Sequence, residues 1–338
     1  MRLPPTLGPA GPFPRAPLLH ELDRRWLHYA FRSPDGAVSV IANLSTLGSS
    51  EAKDEQPQDM SILLVHDRRT GWQSSQFNAS ISGEPWSSFR TPGSPGTLRI
   101  AGHDGTPLID LTLRRTGRPC TSQCAPFRPR QHLRWQSEPG IVATGTVGTD
   151  RSPRSRVTLL GYHERVRGRW GWPDLGGWVF GFANVPAESP GPPPYSVVFT
   201  LIQPRAPHQA ATGSVMLWRD GRLIRHFPRR RLDVAVAGLL SRDTVHLCPP
   251  LAATLGTPPA APVPRRLAIT AALGPDRLRI AVEAETAGRI CNPSETSLLP
   301  FSVHEVLGPC SVTGIVNGTE FAFTAGAIVE FAGGAHDD

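Results

Sequence analysis

Glycine and proline punctuate this chain from end to end, 33 and 36 of its 338 residues. Neither suits the interior of a long helix: glycine is entropically costly there, and proline lacks the amide proton that the helical ladder needs. Punctuation this dense favours many short strands joined by turns. The runs between the turns are apolar or alternate, the period of two that sends successive side chains to opposite sheet faces. In the first half these runs are Val38 to Leu44, Ile62 to Val65, Thr97 to Ile100, Leu108 to Leu113, Ile141 to Val147 and Val157 to Leu160. The second half offers Ser196 to Ile202, Ser214 to Trp218, Leu223 to Phe227, Leu232 to Val236, Arg266 to Ala271, Leu278 to Glu283, Ser302 to Leu307, Val312 to Val316, Phe321 to Thr324 and Ile328 to Phe331.

Asp220-Gly221 and Asn317-Gly318 are hairpin signals, because these pairs readily adopt the positive φ of tight primed turns; Asp35-Gly36, Asp104-Gly105 and Gly274-Pro275-Asp276 are similar. Parallel sheets would need helical crossovers that the pattern lacks, so an antiparallel all-β fold is expected. The stiff run Pro186 to Pro194 separates two strand-rich halves, predicting one β domain over 15–187 and another over 195–335. A barrel or sandwich suits each half, since closure removes exposed edges.

The net charge of +7 is carried by arginine, Lys53 being the only lysine. The densest basic run, Arg225 to Arg231, matches no nucleic-acid motif and reads as a solvated face, so no nucleic-acid partner and at most peripheral membrane contact are expected. No stretch reaches the roughly 18 apolar residues of a membrane span. Met1 to Pro17 is proline-rich with no apolar signal core, and a cytoplasmic location is the expectation. Cys120, Cys124, Cys248, Cys291 and Cys310 form an odd, dispersed set that suits free thiols. Cys120 to Cys124 lacks a second ligand pair at zinc-site spacing, so no metal site is expected.

Gly161 to Asn184 is the chemically suggestive stretch, with Tyr162, Trp170, Trp172, Trp178, Phe180 and Phe182 around the acid Glu164. Rings build a stiff apolar wall, and a carboxyl held among them has its charged form disfavoured, the setting of a general acid. On a strand His163 and Glu164 point to opposite faces, whereas Tyr162 and Glu164 share one. The competing reading pairs Glu164 with Arg165 or Arg167 at a barrel rim. Glu305 and Glu330 sit in apolar final strands where an unpaired carboxylate is costly, although alternation alone would allow them an outward face. Trp26, His28 and Tyr29 are candidates to line a pocket from the first strand. The chain has no Gly-x-Ser-x-Gly elbow, nucleotide-binding glycine loop or His-Glu-x-x-His helix, and no cofactor is expected.

Arg25 to Phe31, then Pro34-Asp35-Gly36 and the strand to Leu44, resemble the first hairpin of the lipocalin-like proteins related to carotenoid 1,2-hydratase (hydroxyneurosporene synthase) and to AttH. Gly161 to Glu164 occupies the place of that family's Tyr-His-Asp-His-Asn-Trp-Gly type motif, and Trp170 to Trp178 is similar to the tryptophan-rich strand that follows. His304 to Gly308, Val312 to Gly314 and Gly326 to Glu330 resemble its closing strands. The sequence departs from the motif with Glu164 for Asp, Arg165 for the second His, Val166 for Asn and Arg167 for Trp. The resemblance implies two lipocalin-like β domains with a hydrophobic pocket between or within them, in a group spanning carotenoid hydratases, tocopherol-cyclase-like proteins and fungal pericyclases that catalyse Diels-Alder reactions. The expected function is acid-assisted hydration or cyclisation of an apolar isoprenoid or polyene. Glu164 would be the proton donor, with His163 and Tyr162 beside it, and Trp26, His28, Tyr29, Trp170, Trp172, Trp178, Glu305 and Glu330 would hold the substrate. Alternatives are a pericyclase, working through hydrogen-bond donors such as Tyr162 or His163, and a carrier of a hydrophobic small molecule.

Overall fold

A computed structural model describes residues 23–47, 58–77, 96–101, 105–128, 131–149, 152–170, 175–188, 191–204, 211–248, 262–292 and 301–334. Met1 to Pro17, Lys53, Asp104 and most of the proline-rich loop 249–264 lie outside them. The chain folds into two strongly curled antiparallel sheets, and two 3-10 turns, Arg229–Arg231 and Arg242–Thr244, are the helical elements among the described residues.

The first sheet contains β1 (Asp23–Arg32), β2 (Val38–Leu47), β3 (Gln58–Asp67), β4 (Gly71–Phe77), β5 (Gly96–Ala101), β6 (Pro107–Arg115), β7 (Cys120–Arg128), β8 (Gln131–Thr149) and β9 (Ser152–Arg169), in the order β4-β3-β2-β1-β9-β8-β6-β5 with β7 also on β8. The second contains β10 (Leu175–Asn184), β11 (Tyr195–Pro204), β12 (Thr212–Arg219), β13 (Arg222–Pro228), β14 (Leu232–Leu239), β15 (Val245–Leu247), β16 (Pro264–Leu273), β17 (Asp276–Glu283), β18 (Thr286–Asn292), β19 (Phe301–Val316) and β20 (Thr319–Gly334). Its order is β13-β12-β11-β10-β20-β19-β17-β16-β14, with β18 on β19 and β15 parallel to β18. The topology repeats. In each sheet a four-strand meander ends on the first strand, which pairs with the last strand of the same sheet. The passage between the sheets lies between β9 and β10, and Pro186 to Pro194 joins β10 to β11 within the second.

The hairpin dipeptides behave as their chemistry requires: Asp220 and Gly221 have φ of 51° and 72°, Asn317 and Gly318 of 51° and 73°. The two pairs of apolar runs near the C-terminus are single long strands, because Gly308-Pro309 and Ala327-Gly326 face each other inside one unbroken ladder instead of turning the chain. Strand β8 changes partner midway, from β7 to β6, at a bulge where Gly140 takes φ 77°. Arg225 of the basic run is ion-paired with Asp276 at 2.8 Å.

Alternation sorts the apolar side chains into three cores. Tyr29, Phe31, Val40, Leu63, Leu98, Leu111 and Leu159 fill the first sheet's curl, while Val197, Phe199, Val215, Phe227, Ile280 and Val312 fill the second's. The third lies between the sheets, where Trp26, Trp135, Tyr162, Val166 and Trp170 from the first meet Trp178, Phe180, Met216, Trp218 and Ile328 from the second. At about 1.5–3 kcal/mol for each large apolar side chain buried, this shared core binds the halves into one unit. Its closing strands approach tightly at Gly161, where a Cβ would lie 2.1 Å from the Ala30 carbonyl oxygen and 2.7 Å from Phe31 Cα. Gly161→Ala is therefore expected to push β9 off β1 and cost about 3 kcal/mol or more, read as a fall in the urea midpoint.

Candidate functional site

The strands that close the two sheets carry the same pattern in the same register. In the first, Trp26 stands opposite Val166 and His28 opposite Glu164; in the second, Trp178 stands opposite Ala332 and Phe180 opposite Glu330. The strand on the far side of each acid presents Ser137 to Glu164 and Glu305 to Glu330. Two repeats thus bring their tryptophans and acids to the shared core, where Trp26 and Trp178 stack at 6.3 Å between centroids.

Glu164 is 2% exposed. Its Oε1 accepts from the indole of Trp26 at 3.0 Å, and its Oε2 from the indole of Trp135 at 2.5 Å and the hydroxyl of Tyr162 at 3.0 Å. Arg165 turns the other way, its Nε 3.3 Å from His163, and Arg167 is exposed, so the rim ion pair is not formed. Burial pushes the Glu164 carboxyl up to about 8, the charge of Glu330 adds to the rise, and the three donors oppose it. Burial likewise raises Tyr162 well above its usual range, with Glu164 the next cause. A run of hydroxyls leads away from the acid: Tyr162 to Ser137 at 2.8 Å, Ser137 to Ser122 at 3.0 Å, Ser122 to the Trp135 carbonyl at 3.2 Å.

Glu330 accepts from the indole of Trp178 at Oε1 and is hydrogen-bonded to Glu305. Both are buried, and burial pushes Glu330 up to about 7 and Glu305 well above the usual carboxylate range. Their outward orientation from the second sheet's own core is real, since Val306 and Val329 take the inward positions, but the first sheet covers them. His28 joins this group, and its imidazole is held down to about 4 by burial.

Trp170 packs edge-on to Trp26 at 5.4 Å, and its carbonyl accepts from Arg24 Nε at 2.7 Å. Trp172 lies outside the described residues. The structure does not bring Tyr29 and His163 to this face. They stack on each other at 4.2 Å inside the first sheet's curl, near the buried Arg115 and Glu138 ion pair. Alternation already required that separation for His163, and β1 imposes it on Tyr29, whose neighbours His28 and Ala30 face the shared core. Cys120 is a free thiol, and the side chain of Cys124 lies outside the described residues.

Sequence reasoning missed Trp135 and Ser137. The signal was present in Leu133, Trp135 and Ser137, one buried face of an alternating run. A cavity of about 370 Å³ opens at one end of the sheet interface, lined by Arg32, Arg68, Leu160, Phe182, Asn184 and Glu285. Phe182, in the lining of this cavity, stacks on Tyr162 at 5.1 Å, and Tyr162 in turn is hydrogen-bonded to Glu164.

No family model matches the sequence, and no curated protein matches it. Solved structures do match. A crystal structure from Nitrosomonas europaea assigned to AttH aligns with TM-score 0.60 and 13% identity over 98% of this chain and 100% of that chain. CghA with Sch210972 aligns at 0.55 and 14% over 93% and 89%, and kievitone hydratase from Nectria haematococca at 0.55 and 10% over 91% and 88%.

The raised acid sets the pH dependence of folding. A carboxyl whose folded value is about 8, above its ordinary 4.5, adds stability that is complete below about 4.5 and is lost as pH rises through 8, because the folded chain binds the extra proton in that window. Glu305 and Glu330 act in the same sense. The Tm of protein freed of divalent ions is expected to fall from pH 5 to pH 8, by the equivalent of a few kcal/mol, and Glu164→Gln to flatten part of that fall in a calorimetric pH series. At these identities the likeness rests on architecture, and in architecture the chain has the lipocalin-like fold of the AttH structure, CghA and kievitone hydratase.

Proposed function

We propose that the protein is an acid-assisted hydratase or cyclase for an apolar isoprenoid or polyene, with Glu164 as proton donor. The observation that carries this reading is a carboxyl buried among four tryptophans, Trp26, Trp135, Trp170 and Trp178, and held by burial in its protonated form near neutral pH. Protonating an isolated alkene needs such an acid in a site that excludes bulk water, and a cation formed in this core is stabilised where it meets the face of a tryptophan ring.

In the step itself the Glu164 proton goes to one alkene carbon and the other becomes a tertiary cation. Hydration ends when water adds to the cation and gives up its extra proton; cyclisation ends when a second alkene adds and a neighbouring carbon loses one. Either way a proton returns to the Glu164 carboxylate, directly or along Tyr162, Ser137 and Ser122. Because a hydroxyl both donates and accepts, that run serves the acid and its conjugate base alike.

Kievitone hydratase, by its name a hydratase, shares the fold and supports the choice of reaction class. The pericyclase alternative draws less support, since Tyr162 is committed to Glu164 and Ser137 and His163 faces the other way. The cavity at Phe182 is the proposed way in, with Phe182 and Tyr162 giving way to the substrate.

The test is incubation with a panel of linear isoprenoid polyenes in D2O, with products read by mass spectrometry. Wild-type protein is expected to place one solvent deuterium on carbon, and Glu164→Gln to lose about 10²–10⁴-fold in rate while still quenching its tryptophan fluorescence on ligand binding. Undiminished turnover by Glu164→Gln contradicts the reading, and a polyene that binds and returns unchanged identifies a carrier.

A further inference from the structure

We propose that His28, Glu305 and Glu330 form a binding site for one divalent transition-metal ion, clamped between the two sheets. This goes beyond the acid reading and does not depend on it. One ligand atom from each of the three residues lies within 4.8 Å of the others, and all three residues are buried. Ligands about 2.0–2.2 Å from a common ion stand roughly 3–4.4 Å apart, so a small inward adjustment completes the set.

The second observation is what these groups lack. Both ring nitrogens of His28, in a side chain 1% exposed, are without a hydrogen-bond partner, and so is Oε2 of Glu305, 2% exposed. Buried polar atoms are nearly always satisfied, and each unsatisfied one costs free energy. One ring nitrogen of His28 and Oε2 of Glu305 are explained together by an ion that takes the lone pair of a neutral imidazole and an oxygen from each carboxylate. Two carboxylates and one divalent ion also make a neutral set, which removes the cost of burying like charges on adjacent strands.

The neighbours set the limits of the site. Glu330 accepts from Trp178 at Oε1 and is hydrogen-bonded to Glu305, a contact that the ion replaces once both carboxyls give up their protons, whereas Glu164 has both oxygens occupied by Trp26, Trp135 and Tyr162 and stays outside the ligand set. One imidazole with two carboxylates suits Zn2+, Mn2+ or Fe2+ over softer ions. The ligands come from β1 of one sheet and β19 and β20 of the other, so no local spacing motif announces them.

The experiment uses the full chain, expressed in medium supplemented with Zn2+, Mn2+ or Co2+, dialysed and analysed by plasma mass spectrometry. The expected result is a single ion per chain, a higher Tm than chelator-treated protein, and a Co2+ spectrum free of the thiolate charge-transfer band. His28→Phe and Glu305→Gln are each expected to lower affinity at least about tenfold, while Cys120→Ser keeps it. Should a variant fail to fold, the wild-type Mn2+ form decides: spin-echo modulation from one histidine nitrogen supports the site, and its absence overturns it. No stoichiometric uptake, or uptake that survives in the folded His28→Phe and Glu305→Gln variants, also overturns it.

Discussion

Everything distinctive about this molecule follows from how each sheet closes. Pairing the first strand with the last, β1 with β9 and β10 with β20, fixes a register in which a tryptophan and an acid emerge side by side from the same face. The opposite faces fill ordinary apolar cores. The acid-bearing faces of the two sheets then have only each other to pack against, and the result is Glu164, Glu330 and Glu305 with His28 in a core lined by rings. Indole donors meet two of the acids and keep the cluster from being merely repulsive.

Much of the fold was legible. Alternating runs located most strands, Asp-Gly and Asn-Gly located hairpins, and the last four runs failed only in number, because Gly308 and Gly326 sit within a ladder instead of at turns. The strands that escaped notice, such as Gly71–Phe77 and Cys120–Arg128, are polar or irregular, so periodicity carries little signal there. Of the site, Glu164 and Tyr162 on one face and His163 on the other are a direct consequence of strand geometry. What a single strand cannot state is which surface covers it. Glu305 and Glu330 do face away from their own sheet's core, and only the second layer makes them buried. Trp135 and the meeting of His28 with Glu305 depend on contacts between strands far apart in sequence.

The chemistry follows from the same placement. Water-poor surroundings raise the carboxyls and lower the imidazole, so near neutral pH this interface tends toward uncharged acids beside an uncharged base. Such a site suits a substrate with little polarity of its own, and an acid whose proton is held close to release is its main chemical resource. The fold is shared with a hydratase, but fold alone does not choose the reaction. The choice rests on what surrounds Glu164.

The most direct measurement is therefore the protonation state of that one group. Carbon-13 NMR of the glutamate carboxyls, assigned by Glu164→Gln in protein freed of divalent ions, reports it without any substrate. The account predicts that the Glu164 signal stays at its protonated position through neutral pH and titrates near 8. A Glu164 that titrates at the ordinary carboxylate value of 4.5 would contradict it.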